Sequence, residues 1–143
     1  MRTTRRRPET EIAKKKFVES HPYTKDFSKE HIFDYSNEVV IKEFKHWLII
    51  ENKFPYDLVL ETNHMLAPRR IFGYLSEATP EELAEYFIIM KQLDEEKFYN
   101  SMMENFTGDR SIHRHIHIHL MIWKYEKDIV DQRVNWDAYP TLD

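Results

Sequence analysis

The sequence predicts an α+β fold in which a five-stranded antiparallel sheet carries one long helix and a second, N-terminal helix. Short apolar runs rich in β-branched and aromatic residues follow one another with short links, which is typical of antiparallel strands. A long amphipathic segment with clear start signals separates the third run from the fourth. A shorter segment of helical periodicity precedes all of the strands.

Two segments are predicted to be helices. The first runs from Glu9 to about Ser20, where apolar residues recur at helical spacing. The second begins at Thr79, which can cap a helix, and continues to about Lys97. Pro80 suits the first helical position and Glu82 completes a capping box. We expect one apolar face on this second helix, made of Leu83, Tyr86, Phe87, Met90 and Leu93.

Five segments are predicted to be strands: residues 39–41, 47–50, 58–66, 98–106 and 112–123. The second and third runs end near Pro55 and before Pro68, because proline interrupts a strand ladder. Gly108 and Asp109 mark a turn before the fifth run.

The chain length of 143 residues, of which 41% are hydrophobic, suits one domain with a real core. No composition shift or internal repeat divides it. We therefore expect a flexible basic arm over residues 1–8 and a single domain over residues 9–143.

Composition excludes several classes of site. The chain has no cysteine, so disulfides and thiolate zinc sites are excluded, and its two glycines are too few for a Walker or dinucleotide-binding loop. A formal charge of -4 argues against nucleic acid as the main partner. No apolar run approaches the length of a membrane span, and no apolar segment follows the basic start as in a secretory signal. A cytoplasmic protein without a membrane partner is expected.

Four of the eight histidines lie at positions 113, 115, 117 and 119. Alternate residues of a strand point to one face, so these four imidazoles would line one side of the sheet. Ile116, Ile118 and Leu120 would be buried under the helices on the other side and aim the imidazoles outward. Imidazole is partly protonated near neutral pH, so neighbouring rings can divide the tasks of nucleophile and proton donor around a phosphate.

Three other interpretations of the histidine row, the four histidines at positions 113, 115, 117 and 119, stay open. The histidines could be a structural feature of an exposed strand. They could bind zinc or iron, because His-x-His on a strand presents two nitrogen ligands to a metal ion. His64, His46 or a carboxylate would then complete its coordination. They could also belong to a nucleotide-binding module without catalysis. Two arginines at the end of the third predicted strand, Arg69 and Arg70, could bind phosphates or form a solvated pair.

Residues 115–121 match the signature His-φ-His-φ-His-φ-φ, where φ is hydrophobic, of the histidine triad (HIT) family of nucleotide hydrolases and transferases. Residues 64–70 resemble the family's strand that ends in Pro-Lys-Arg, and residues 76–83 resemble the turn that opens its long helix. Residues 52–56 resemble the Asn-x-x-Pro segment of the branch related to dinucleoside polyphosphate phosphorylases and hexose-1-phosphate uridylyltransferases. The resemblance extends over residues 39–123.

The resemblance implies the α+β fold described above, a homodimer, no cofactor or metal, and a role for each motif residue. His117 would attack the α-phosphorus and carry a nucleotidyl intermediate, which water would release as a nucleoside monophosphate. His119 would hydrogen-bond the phosphate or protonate the leaving group. His115, together with His64, would hold the His117 ring in the required tautomer. Asn52 would lie near the ribose hydroxyls.

The resemblance also implies substrate contacts just before the signature. Arg110 or Ser111 would replace the phosphate contact of the family's Gly-Gln-Ser/Thr segment, and His113 is expected to join the substrate-binding residues. A register starting at His113 would place Arg114 at a hydrophobic position, which favours His117 as the middle histidine. The substrate would be a phosphoramidate, a dinucleoside polyphosphate or a nucleotidyl sugar.

Overall fold

A computed structural model describes residues 5–20, 33–106, 112 and 114–124. The described part contains two α-helices and five strands, which confirms the predicted fold class. In chain order these elements are α1 (Pro8–Ser20), β1 (Val40–Glu43), β2 (Trp47–Glu51), β3 (Leu60–Pro68), α2 (Pro80–Glu96), β4 (Ser101–Met103) and β5 (Ile118–Trp123).

The five strands form one antiparallel sheet in the order β1-β2-β3-β5-β4. The histidine strand β5 therefore lies inside the sheet, paired with β3 on one side and β4 on the other. In the β3–β5 pair Met65 lies opposite His119 and Leu66 lies opposite Ile118. Since directly opposed residues share a face, this register decides which side chains of β3 meet the histidines.

One face of the sheet packs against α2. Ile116, Ile118 and Leu120 belong to this core, as predicted, together with side chains of β2, β3 and α2. The members from those elements are Trp47, Ile49, Leu66, Tyr86, Ile89 and Leu93. Alternation along β5 then places the histidines on the opposite face.

Helix α2 begins with the predicted capping box. The Thr79 side chain accepts from the Glu82 backbone N–H, and the Glu82 side chain accepts from the Thr79 N–H. Its buried face differs from the prediction in one residue: Phe87 is 61% exposed, whereas Ile89 is 1% exposed. Because residues 86–90 are all apolar, the sequence pattern there does not select a face.

The bounds of the strands differ from the prediction, most of all in β3, β4 and β5. β3 continues through Pro68, and β4 is limited to Ser101–Met103. β5 begins only at Ile118, so His115 and His117 lie in irregular backbone before it. The ladder with β3 ends at the pair Leu66 and Ile118, and the N–H of Ile116 donates instead to the Phe72 carbonyl at 2.8 Å.

The described end of the predicted basic arm contacts the loop between β2 and β3. Arg6 Nε donates to the Phe54 carbonyl at 2.6 Å, and the Arg7 N–H donates to Asp57 at 2.8 Å. The same Asp57 carboxylate accepts from the Thr10 hydroxyl in the first turn of α1. These bonds place residues 5–7 beside Tyr56. None of the described helices is long and apolar enough to cross a membrane.

Candidate active site

His115, His117 and His119 share one face of the sheet, and their exposures are 0%, 4% and 2%. The sequence predicted that they point outward, away from α2, and they do point away from it. They are nevertheless buried, because aromatic rings cover them. Phe33 meets His115 and His117 edge-on at centroid distances of 5.0 and 5.4 Å, and Tyr56 stacks on His119 at 5.0 Å. Burial disfavours the charged form of an imidazole.

His115 anchors the segment that covers the row. Its Nδ1 accepts from the Phe33 backbone N–H at 3.1 Å, and its Nε2 donates to the Pro68 carbonyl at 2.7 Å. The Tyr35 hydroxyl donates to the same carbonyl. Both ring nitrogens are thus engaged, which fixes the tautomer and the ring plane. Burial lowers the pKa of His115, and the bond to Pro68 opposes this shift in part.

The ring of His117 is oriented by the backbone of His115. Its Nδ1 lies 3.1 Å from the His115 carbonyl oxygen. Since a carbonyl can only accept, Nδ1 carries the proton and the in-plane lone pair of the neutral ring is on Nε2. A nitrogen nucleophile requires this lone pair.

His119 is the neutral neighbour of His117, at a ring-centroid distance of 5.2 Å. Its Nδ1 lies 3.0 Å from the amide nitrogen of Asn63, which can only donate. The ring proton is therefore on Nε2. Burial lowers the pKa of His119 to about 3, helped by the charges of His117, Arg6 and Arg5. Within the described residues, His119 Nε2 is the buried side-chain polar atom that lacks a hydrogen-bond partner.

Asn63 is itself held by the loop after β2. Its Oδ1 accepts from the Tyr56 backbone N–H at 3.1 Å and from the Asn52 amide at 3.0 Å. Asn52 Oδ1 in turn accepts from the Phe54 N–H at 3.0 Å. Backbone donors therefore fix the orientation of both amides.

Arginines of the N-terminal arm cover the end of the row at His119. The Arg6 guanidinium lies 4.6 Å from the Tyr56 ring centroid and that of Arg5 lies 5.3 Å from it. The Arg6 side chain is mostly buried. The sequence did not identify these contacts, nor those of Phe33, because residues far apart in the chain form them.

His64 does not lie with the other histidines, which corrects its predicted role in orienting His117. It lies opposite Leu120 in the β3–β5 pair, on the α2 side of the sheet, and its Nδ1 binds the Tyr99 hydroxyl. Burial lowers its pKa. Asn63, one residue earlier, occupies the histidine face. The resemblance implies a histidine one residue further from the proline, so the short spacing from His64 to Pro68 was the available signal in the sequence.

Of the other predicted substrate contacts, Asn52 lies within the described residues. Asn52 binds Asn63 and is thus linked to His119 through one side chain. Arg110, Ser111 and His113 lie outside the described residues, so their predicted contacts stay predictions.

Arg69 and Arg70, the two arginines at the end of β3, bind protein groups. Arg70 pairs with Glu82 at 2.8 Å, and Arg69 donates to the Phe44 carbonyl at 2.9 Å. In the segments that the structure describes, no three histidine or carboxylate side chains converge as metal ligands.

No model of a known protein family matches this chain, and no curated protein matches it. Several solved structures are similar to it, and two of them carry histidine triad names. One is a HIT family hydrolase from Legionella pneumophila Philadelphia 1, which is 21% identical over 59% of this chain and 80% of that chain, with a TM-score of 0.45. The other is a histidine triad protein from Clostridium difficile, which is 13% identical over 62% and 81% of the two chains, with a TM-score of 0.44.

Proposed function

We propose that this chain is a nucleotide hydrolase or transferase of the histidine triad family, which cleaves a bond at the α-phosphate through a nucleotidyl-histidine intermediate on His117. The observation that carries the proposal is the bond from His117 Nδ1–H to the His115 carbonyl, because it leaves the lone pair on Nε2. The seven-residue signature 115–121 supports the same reaction class.

The first step is an in-line displacement. His117 Nε2 attacks the α-phosphorus, an N–P bond forms, and the bond to the leaving group breaks with its electron pair on the leaving group. The imidazole then carries both a phosphorus and a proton and is positively charged. The His115 carbonyl, which accepts from Nδ1–H throughout, stabilises this charge without moving.

The second step restores the enzyme. A water molecule attacks phosphorus, loses a proton to solvent, and the N–P electron pair returns to His117 Nε2. A nucleoside monophosphate is released; another acceptor in place of water would make the protein a transferase. Splitting one displacement into two in this way needs an imidazole nucleophile and no cofactor.

His115 acts as a positioning residue. Its ring is held between the Phe33 N–H and the Pro68 carbonyl, which fixes the backbone carbonyl that orients His117. His119 Nε2–H, which has no partner among the described residues, is the donor available to a phosphate oxygen. Arg110, Ser111 and His113 stay proposed as substrate contacts and Asn52 as a ribose contact, on the strength of the resemblance.

We also propose a cytoplasmic homodimer, as the resemblance and the composition imply. Strand β1 supports the dimer, because it is an edge of the sheet and exposes Val40 and Ile41. Light scattering of the purified protein measures the mass in solution; a single-chain mass at micromolar concentration contradicts the dimer.

The reaction is tested by product formation from adenosine phosphoramidate, diadenosine tetraphosphate and a nucleotidyl sugar, with and without a chelator. Wild type should release nucleoside monophosphate in the presence of the chelator, and His117→Ala should not. Rapid quenching with a substrate labelled at the α-phosphate should trap label on wild type and none on His117→Ala. His64→Gln is the matched control, since His64 lies on the other face of the sheet.

Three results contradict the proposal. Turnover that the chelator abolishes indicates a metal site instead. Nucleotide binding that survives His117→Ala without turnover in wild type indicates a binding module. Turnover by a folded His117→Ala variant, checked by its thermal transition, removes His117 as the nucleophile.

A further inference from the structure

We propose that Asn63 holds His119 as a neutral hydrogen-bond donor, so that the site selects phosphoric anhydrides over phosphoramidates. This inference rests on the proposed function and deepens it by choosing among its substrate classes. Diadenosine tetraphosphate and nucleotidyl sugars belong to the favoured class, because each loses a phosphate or nucleotide oxyanion from the α-phosphorus.

The Asn63 amide has a defined orientation. Its Oδ1 accepts two hydrogen bonds, one from the Tyr56 backbone N–H at 3.1 Å and one from the Asn52 amide at 3.0 Å. A backbone N–H can only donate, so the oxygen of Asn63 must face Tyr56. The amide nitrogen of Asn63 therefore faces His119 Nδ1, at 3.0 Å.

The surroundings of His119 keep its ring neutral. An imidazolium carries a proton on both ring nitrogens, and its Nδ1–H would point at the N–H of Asn63. The groups around the ring also oppose a positive charge. The positive charges of Arg5 and Arg6 act on it, and the ring is 2% exposed. These contacts and charges agree with a pKa of about 3 for His119.

A neutral His119 cannot act as a general acid. A neutral imidazole N–H is too weak an acid to give up its proton near neutral pH, so His119 stabilises charge on phosphate oxygens and transfers no proton. Its Nε2–H, which is buried and has no partner among the described residues, would bind an oxygen at the α-phosphate.

Leaving groups differ in whether they need that proton. In an anhydride, the N–P bond to His117 forms while the bridging P–O bond breaks, and the oxygen departs as a stable oxyanion without protonation. In a phosphoramidate, the electron pair of the breaking P–N bond stays on nitrogen, which must take up a proton to leave as an amine. With His119 fixed as a neutral donor, the site favours the anhydride.

The test compares diadenosine tetraphosphate with adenosine phosphoramidate in wild type, Asn63→Asp and His64→Gln. Wild type should cleave the anhydride roughly 100-fold faster than the phosphoramidate, which is the size of a typical general-acid contribution. In Asn63→Asp a carboxylate oxygen replaces the amide nitrogen and accepts from Nδ1–H, so His119 can carry both protons. The preference should fall by about tenfold or more, and phosphoramidate cleavage should rise as the pH falls. His64→Gln should keep the wild-type preference.

Two results overturn the inference while the proposed function stands: wild type that cleaves the phosphoramidate as fast as the anhydride, or a folded Asn63→Asp variant with an unchanged preference. Failure of wild type to cleave any substrate of the panel overturns the proposed function, and the inference with it. A measurement on wild type alone tests the inference even if the Asn63→Asp variant does not fold. Nitrogen-15 spectra of labelled histidines should show His119 neutral with its proton on Nε2 from pH 8 to pH 5, and an imidazolium signal from His119 in that range contradicts the inference.

Discussion

Asn63 and His64 are neighbours on β3, and their side chains lie on opposite faces of the sheet. Asn63 donates to His119 at 3.0 Å, whereas His64 binds the Tyr99 hydroxyl on the side of α2. The pairing of Met65 with His119 sets this difference, because every second residue of β3 shares a face. The two positions therefore form a matched pair for mutation.

Replacing Asn63 with alanine should lower kcat by roughly 10-fold or more, because His119 loses the donor that fixes its tautomer and its ring plane. His64→Gln should leave kcat within about twofold of wild type, since His64 does not touch the histidine row. Steady-state rates on diadenosine tetraphosphate measure both effects. Loss of activity in His64→Gln with normal activity in Asn63→Ala would reverse the assignment of the two faces.

The sheet, the long helix and its capping box could be predicted because local signals set them. Thr79, Pro80 and Glu82 act within one turn, and the alternation of Ile116, Ile118 and Leu120 identifies the buried face of the histidine strand. The choice between Asn63 and His64 depends on a register between strands that are about 50 residues apart in the chain, so a shift of one residue reverses it.

The cover over the histidines could not be predicted for a different physical reason. Phe33 and Arg6 reach the row through long-range contacts, and neither belongs to a periodic pattern that indicates them. Their positions follow from the packing of the chain as a whole.

Replacing Thr79 with alanine should destabilise the protein by about 1 kcal/mol, because the N–H of Glu82 loses its capping acceptor. Glu82 keeps its ion pair with Arg70, so α2 should still form. Urea unfolding of wild type and Thr79→Ala measures the difference. Turnover at low urea should not change, and a loss of activity without a loss of stability would contradict a purely capping role.

The protein should lose stability as the pH falls below about 6.5, the ordinary pKa of histidine. His115 and His119 have lowered pKa values in the fold, so the unfolded chain binds more protons below pH 6.5. The free energy of unfolding therefore decreases as the pH falls from 6.5 toward the folded pKa. For His119 the folded pKa is about 3. Between pH 6.5 and its folded pKa, His119 contributes about 1 kcal/mol per pH unit, and His115 adds to the dependence in the same direction.

Urea unfolding between pH 7.5 and pH 5 measures this dependence, above the ordinary pKa values of Asp and Glu. His119→Gln is the comparison variant, because it removes one of the rings with a lowered pKa, and its stability should depend less on pH than that of wild type. Equal stability of wild type at pH 7.5 and pH 5 would show that the buried histidines titrate normally.

Replacing Arg6 with glutamine should weaken binding of a polyphosphate substrate. The Arg6 guanidinium lies over Tyr56, and its charge reaches His119 in the row where the substrate phosphates would lie. Removing one positive charge at this distance should raise KM for diadenosine tetraphosphate roughly 3- to 10-fold at low salt, and the difference should shrink as salt increases. The value of kcat should change little, because the Arg6 guanidinium lies over the Tyr56 ring, at the His119 end of the histidine row.

Arg69→Gln is the matched control for this prediction. Its guanidinium donates to the Phe44 carbonyl beside the far end of β3, so removal of the same charge there should leave KM unchanged. Steady-state kinetics of both variants from 20 mM to about 300 mM salt separates a local effect from one of net charge, since the Debye length shortens over this range. An equal rise of KM in both variants would assign the effect to net charge, and an unchanged KM in Arg6→Gln would remove the N-terminal arm from the substrate site.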